Sequence, residues 1–204
     1  MGLLKGSATL TRYQVDGALP PDAADFLDRR IRRGLFMDIE DTTDELAVGW
    51  VSAGDFLDTS FAYAGYSLEP YVVLGFRVDQ RKVPAAMLRK YQRLEEMKFL
   101  AMSQDQGGAR LNRARREQLR ERARLGLLAR IPPTTQVYDV VWDTGRSELW
   151  IGSASRGVLD RFEDHFSRCF SLGLVPRLPY LLAGDILTDE NQRELLAAAR
   201  PLDF

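Results

Sequence analysis

Few side chains in this sequence could serve as a nucleophile. His165 is the only histidine and Cys169 the only cysteine, and a spacing of four residues would place them together on one face of a helix. A Cys–His nucleophile needs an accessible thiolate. Cys169 instead shares its helical face with Phe162 and Phe166, which predicts a position in the core. We therefore predict no catalytic residue at this pair.

Carboxylates that could bind a divalent metal are dense in one stretch only, which we call the acidic segment (residues 38–45). Its acidic members are Asp38, Glu40, Asp41, Asp44 and Glu45. A metal-dependent nuclease would need such carboxylates to converge on the ion, and it would lose activity when Asp38 or Glu40 is replaced. Glu96-Met97-Lys98 has the E-x-K spacing of a nuclease motif that belongs on a strand, but here it lies in a predicted helix. A solvated loop is the simpler interpretation, and the nuclease stays an alternative.

Other cofactor motifs are missing from the sequence. There is no G-x-x-x-x-G-K-[ST] phosphate loop, and no Cys/His spacing of the zinc-site kind occurs. We predict no cofactor and no bound metal, and expect that the protein is not an enzyme.

Arginines are concentrated in one segment of a chain whose formal net charge is only −1. Residues 110–130 contain eight arginines and two glutamates, whereas residues 16–69 contain twelve acids and four arginines. Such asymmetry points to a polyanionic partner or to self-association. On a helix, four of these arginines fall within a sector of about 80°, which we call the basic stripe: Arg113, Arg116, Arg120 and Arg124.

Guanidinium groups suit phosphate because their fork donates two hydrogen bonds and stays charged at physiological pH. The basic stripe lacks Asn and Gln, so we expect contact with the nucleic-acid backbone and little sequence preference. The candidate DNA-contacting residues are Arg110, Arg113, Arg115, Arg116, Arg120, Arg122, Arg124 and, on the preceding helix, Lys90.

Three other interpretations of the arginines stay open. The first is a solvated helix with pairs such as Arg113–Glu117, each contributing roughly 0.2–0.5 kcal/mol. The second is a non-DNA oligomeric protein, whose basic helix docks on the acidic N-terminal part of a neighbouring copy. The third is single-stranded nucleic-acid binding, in which Trp50, Trp142 or Trp150 would stack on bases if exposed; core packing is the simpler role for these tryptophans.

The elements that must position these residues predict an α+β fold, with largely antiparallel sheets flanked by helices and an inserted helical hairpin. Helices are predicted over 20–33, 84–102, 111–130, 157–172 and 188–200. Strands are predicted over 8–15, 35–39, 47–52, 71–78, 136–142 and 148–152, the last two joined in a hairpin around Thr144-Gly145-Arg146, and an extended segment is predicted at 174–182. We predict three parts: an N-terminal α/β lobe (1–83), the helical hairpin with its arginine-rich second helix (84–130), and a C-terminal ββαβ lobe with a terminal helix (131–204).

Details of three helices follow from the same patterns. Gly34 is expected to end the first helix with a positive φ. The helix after Pro84 is predicted to pack through Met87, Leu88, Tyr91 and Leu94. The arginine helix is predicted to pack through Leu111, Ala114, Leu125 and Leu128.

Composition and the N-terminus bear on location. The chain has 204 residues, of which 45% are hydrophobic, enough for a substantial core. A single cysteine excludes an intramolecular disulfide. The first ten residues lack the apolar stretch of a secretory signal, and no apolar run approaches the ~20 residues of a membrane span. We expect a cytoplasmic protein without a membrane partner.

Several short segments follow one another in a distinctive order. They are Gly6-Ser7-Ala8-Thr9-Leu10-Thr11-Arg12-Tyr13, Gly49-Trp50-Val51, Lys82-Val83-Pro84-Ala85-Ala86-Met87-Leu88, Leu94-Glu95-Glu96, the charged stretch 113–124, Leu127-Leu128-Ala129-Arg130, Val141-Trp142-Asp143, Leu149-Trp150-Ile151, Ser153-Ala154-Ser155 and Leu172-Gly173-Leu174-Val175-Pro176. Together they span most of residues 6–182, and the chain resembles the family of the recombination-associated protein RdgC.

The resemblance implies binding to double-stranded DNA without marked sequence preference, dimerisation into a ring whose basic hole encircles the duplex, an influence on RecA-dependent recombination, and a place at the nucleoid. The exonuclease activity sometimes attached to the family finds no supporting residues here. Well-known members continue beyond the position that matches Phe204, so closure of the ring is not carried over to this chain.

Overall fold

A computed structural model of the chain describes residues 9–61, 65–104 and 111–198. The strands are β1 (Thr11–Asp16), β2 (Leu46–Val51), β3 (Ser67–Leu68), β4 (Tyr71–Gln80), β5 (Thr134–Asp143), β6 (Glu148–Ile151) and β7 (Gly173–Pro176). The helices are α1 (Ala23–Arg33), α2 (Ala85–Gln104), α3 (Arg113–Leu128), α4 (Arg156–Phe170), α5 (Pro179–Ile186) and α6 (Glu190–Ala198). The predicted α+β fold class is confirmed.

The strands form one sheet in the order β2-β4-β5-β6-β1-β7, with β3 paired to β4. β1 runs antiparallel to both β6 and β7, and β5 runs antiparallel to β6. The predicted hairpin around Thr144-Gly145-Arg146 joins β5 to β6, and the Arg146 backbone N–H donates to the Asp143 carboxylate at 2.9 Å. A side-chain acceptor at the start of the turn therefore fixes the register of this hairpin.

The chain divides into two compact units. Unit 1 comprises Met1–Leu35, Trp50–Phe76 and Tyr138–Phe204, and unit 2 comprises Phe36–Gly49 and Arg77–Val137. Both helices of the hairpin belong to unit 2. The three-part organisation expected from the sequence stays a prediction.

Aromatic side chains fill the core of unit 1. The apolar face of α4 buries Phe162, Phe166 and Phe170, as its sequence pattern predicts. Trp50 lies 5.7 Å from Phe76 and 6.1 Å from Phe162 between ring centroids. Tilted and edge-on contacts of this kind add to the free energy gained by removing the rings from water.

Gly34 follows α1, but the conformation predicted for it is wrong. Its φ is −102°, which any residue can adopt. The position is nonetheless restricted, because a β-carbon there would lie 2.8 Å from Cδ1 and Nε1 of Trp50 and closer still to the Cys169 sulfur. Close packing, rather than a left-handed backbone, requires glycine at this point.

Two further sequence predictions are corrected. In place of a strand over 35–39, only Leu35 forms a bridge, to Trp50, and the residues that follow it to Ile39 have no strand partner within the described part of the chain. In place of an extended segment over 174–182, β7 is followed by α5, which begins at Pro179. Proline suits the first helical position because the missing N–H would have no partner there.

Candidate nucleic-acid interface

The hairpin is held together by apolar residues of α3 at a spacing of four. Leu119, Ala123 and Leu127 are buried, and this spacing places them on one face. The face predicted from the sequence is wrong for Ala114 and Leu125, which are exposed. The buried side of α3 is instead formed by Leu119, Ala123 and Leu127, together with the predicted Leu128.

The packing face predicted for α2 is also partly wrong. Met87 and Leu94 are exposed, and Leu88 and Tyr91 are half-buried. The side of α2 that contacts α3 also carries Phe99, which is not among the packing residues predicted from the sequence. Its ring lies beneath the Arg115 guanidinium, 5.0 Å from the centroid, and such a cation–π contact orients the arginine at a partly wet surface.

The N-terminus of α3 concentrates positive charge. Asn112 caps the helix by accepting a hydrogen bond from the Arg115 backbone N–H at 2.8 Å. The first turn then carries Arg113, Arg115 and Arg116 and no acidic residue. Cations are unfavourable here because the unsatisfied N–H groups make this end of the helix positive. An anion bound at this end would relieve that repulsion.

The arginines differ in how they are neutralised. Arg124 forms ion pairs with Glu45 and, at 3.6 Å, with Glu121. Arg120 approaches Glu117 at 4.0 Å, the outer limit of an ion pair, and Arg122 lies 3.5 Å from Glu95.

Within the described ranges, Arg113 and Arg116 form no ion pair, and both are exposed. Arg115 is exposed too and donates to the Gln118 side chain at 2.9 Å. Unneutralised charge is therefore concentrated in the N-terminal half of α3.

A groove of about 260 Å³ lies between the two helices and is lined by Tyr91, Glu95, Lys98, Arg122, Ala123, Gly126 and Arg130. Glu95 accepts a hydrogen bond from Lys98 at 2.9 Å. That bond, with the nearby charges of Lys98 and Arg122, lowers the pKa of Glu95. The ionised Glu95 carboxylate offsets one of the three positive charges that line the groove, which are those of Lys98, Arg122 and Arg130.

Two of the candidate residues lie apart from the stripe. Lys90 is exposed on α2, and the described contacts join it to no side chain of α3. Arg110 lies outside the described residues. Of the eight candidates, the structure brings together those on α3, namely Arg113, Arg115, Arg116, Arg120, Arg122 and Arg124.

The acidic segment is bound by two buried arginines that sequence reasoning missed, Arg77 of β4 and Arg81 directly after the end of that strand. The Arg77 guanidinium makes two hydrogen bonds to Asp79, at 2.9 and 2.7 Å, and lies 3.7 Å from Asp38. Hydrogen bonding to Asp79 raises the pKa of Arg77, so this guanidinium stays charged in its buried position. The signal was present in the alternation Arg77-x-Asp79-x-Arg81, because the first two of these charged side chains share one face of β4 and the third follows directly after the strand.

The carboxylates of the acidic segment do not converge. Asp38 accepts from the Glu40 backbone N–H at 2.7 Å, Asp44 accepts from the Thr42 hydroxyl at 3.0 Å, and Glu45 contacts Arg124. Glu96 of the E-x-K triplet is on helix α2 and accepts from Gln92 at 3.1 Å. Across the described part of the chain, no three His, Cys, Asp or Glu side chains form a group that could hold a metal ion.

His165 and Cys169 are both buried, with Nε2 and Sγ 3.5 Å apart. Burial raises the pKa of the Cys169 thiol, which disfavours the thiolate. The predicted core position of Cys169 is confirmed. Trp50 and Trp142 are buried as well, and Trp150 is half-buried.

Comparison with known proteins returned no relationship: no protein-family model and no curated protein matches this sequence. Among the described residues, none of the helices has the length and apolar character that crossing a bilayer requires.

Proposed function

We propose that the protein binds double-stranded DNA through the phosphate backbone, without marked sequence preference and without catalysis. The observation that carries this proposal is the cluster of arginines in the N-terminal half of α3 that lack a carboxylate partner, led by Arg113 and Arg116. Because these cations repel the positive end of their own helix, a bound anion would stabilise them.

The spacing of the arginines suits a polyanion better than a single small anion. Arg113 and Arg120 are seven residues apart, about 10 Å along the helix axis. Over that length a duplex presents about six phosphate charges. Several guanidinium groups can therefore each engage a different phosphate, with two hydrogen bonds per fork.

Duplex is favoured over single-stranded nucleic acid by the positions of the aromatic residues. Stacking of bases on aromatic rings contributes much of the affinity for single strands. Trp50 and Trp142 are buried in unit 1, and the Phe99 ring is covered by Arg115. The α3 helix itself carries no aromatic residue on which bases could stack, which supports contact of its arginines with a phosphate backbone.

The finer parts of the proposal rest on the resemblance to RdgC. They are a homodimeric state, modulation of recombination with a functional link to RecA, and a cytoplasmic location at the nucleoid. The charged surface of α3 supports the general proposal, which is a double-stranded DNA-binding protein. The resemblance to RdgC supports the particular proposal, which is a role in recombination.

Fluorescence anisotropy of a labelled duplex tests the proposal. The test variant is Arg113→Ala/Arg116→Ala/Arg120→Ala, and Arg29→Ala/Arg33→Ala/Arg156→Ala is a control with the same change in net charge. The test variant should bind at least about tenfold more weakly than the control, because it removes direct phosphate contacts. Unlabelled single strand should compete less well than unlabelled duplex. Equal losses in both variants would contradict the assignment of the site to α3.

A protein interface is the second candidate, and the exposed apolar side of α2 favours it. Leu94 and Met97 are exposed there, beside the exposed cations Arg89 and Lys90. A second copy could cover this side with acidic residues from 16–69, which carry a surplus of eight negative charges. Light scattering across a salt series checks this: Met97→Glu should abolish a salt-sensitive dimer, and a monomer at every salt concentration would exclude it.

A further inference from the structure

We propose that the acidic segment competes with DNA for Arg124. The segment is held in place so that Glu45 forms an ion pair with Arg124, and this pair limits phosphate contact to the N-terminal half of α3. This inference rests on the proposed function. It concerns one unit of the chain, because residues 38–45, β4 from Arg77 onward and α3 all belong to unit 2.

The start of the acidic segment is fixed by a buried ion pair. The Arg77 guanidinium lies over the Phe36 ring, 4.1 Å from its centroid, and its Nε and Nη2 donate to the fully buried Asp79. Phe36 and Ile39 are themselves buried. The segment is thereby anchored by apolar contacts as well as by charge.

Arg81 fixes the rest of the segment through its backbone. Its Nη2 donates to the Glu40 carbonyl at 2.7 Å, and its Nη1 donates to the carbonyls of Thr42 and Asp44 at 2.5 and 3.3 Å. Because the guanidinium takes carbonyl groups and not carboxylates, the acidic side chains stay at the surface. Glu40, Asp41 and Asp44 are exposed, so the loop presents a fixed negative surface.

Glu45 at the end of this loop contacts Arg124, the C-terminal member of the basic stripe. A guanidinium binds a carboxylate with the same paired hydrogen bonds that it offers to a phosphate. The pair lies at the surface, with 42% of the Arg124 and 43% of the Glu45 side chain exposed, so a phosphate could replace Glu45 only in competition with it. Arg113 and Arg116 face no such competitor among the described residues.

Removing the competitor should therefore strengthen DNA binding. We expect Glu45→Gln to bind duplex about two- to fivefold more tightly, the range that an exposed ion pair supports. The log–log salt slope should steepen by up to about 0.9, since Arg124 then keeps only its longer contact with Glu121, at 3.6 Å, and becomes available to a phosphate. Asp25→Asn, an exposed α1 residue, is the control for the change in net charge.

The decisive measurement is the same substitution in an Arg124→Ala background, by anisotropy of a labelled duplex across a salt series. The inference predicts that Glu45→Gln has no greater effect than Asp25→Asn once Arg124 is absent. It is overturned if Glu45→Gln matches Asp25→Asn in the native background, or if its effect persists without Arg124. Matching thermal unfolding curves would establish that the variants are folded.

These outcomes separate the inference from the proposed function. If the native chain binds no duplex at the lowest salt, the proposed function fails and the inference fails with it. If the native chain binds and loses affinity with the α3 arginines, but Glu45→Gln has no specific effect, only the inference fails.

Discussion

Gly34 and Cys169 pack against each other so closely that the glycine has no room for a side chain. A β-carbon on Gly34 would fall within the contact radius of the Cys169 sulfur and 2.8 Å from the Trp50 ring. The same glycine offers its carbonyl to His165, whose Nε2 lies 3.2 Å away. One backbone position thus joins the end of α1 to the buried face of α4.

Gly34→Ala should lower the free energy of unfolding by about 1–3 kcal/mol, the usual cost of overpacking a filled core. Urea unfolding followed by tryptophan fluorescence measures the change. Gly157→Ala, on helix α4, is the matched control, because a β-carbon at Gly157 would have no packing neighbour within 4 Å. That control should be neutral or stabilising by up to about 1 kcal/mol. Equal effects of the two substitutions would contradict the packing argument.

Asp79→Ala should be among the most destabilising changes in unit 2. It leaves the buried Arg77 guanidinium without its main partner, and breaking a buried pair in this way costs about 3–5 kcal/mol. Asp160→Ala, which breaks the exposed pair between Arg156 and Asp160, should cost no more than about 1 kcal/mol. Urea denaturation of both variants compares the two losses, and a similar loss in each would show that burial of the Arg77 pair carries no special weight.

Stability should depend on pH through His165. Burial, with a contribution from the nearby Arg168 charge, lowers the pKa of His165 from 6.5 to about 4 in the folded protein. Between these values the unfolded chain binds a proton that the folded chain does not, so the free energy of unfolding falls as the pH drops from about 6.5 towards 4. The total loss in the free energy of unfolding across this pH range is about 3 kcal/mol. Just above pH 6.5 the free energy of unfolding should not change with pH.

Urea unfolding at a series of pH values measures this dependence, with His165→Gln as the comparison. The variant should lose most of the slope between pH 6.5 and 4 because glutamine does not titrate. Parallel curves for the native protein and the variant would assign the pH dependence to other groups, such as the carboxylates.

Local patterns in the sequence were sufficient for the fold class and for most of the longer elements, although not for the segments 35–39 and 174–182. The aromatic spacing in α4 predicts the buried face that Phe162 and Phe166 form, and the Thr144-Gly145-Arg146 turn predicts the β5–β6 hairpin. The periodicity does not show which element packs against each apolar face. Leu94 has the same apolar character as a core residue but is exposed on α2, because α3 packs on another side of that helix.

The sequence predicted which arginines form the candidate site, but not which of them are neutralised by carboxylates. A helical wheel places Arg113 and Arg124 on one face. Only the folded chain shows that Arg124 forms an ion pair with Glu45, whereas Arg113 has no ion-pair partner in the described residues. The two residues of that pair lie far apart in sequence. Glu45 lies at the end of the segment that Arg77 and Arg81 bind, and the alternation of charged residues from Arg77 to Arg81 does not show which backbone carbonyl groups they bind.

The dependence of DNA affinity on salt tests the central claim most directly. Anisotropy of a labelled duplex, measured from about 50 to 200 mM salt, should give the native protein a linear log–log plot. Replacing Arg113, Arg116 and Arg120 by alanine should flatten the slope by roughly 2.7, about 0.9 for each lost phosphate contact. A native protein that binds no duplex at the lowest salt, or a variant whose slope is unchanged, would contradict the account.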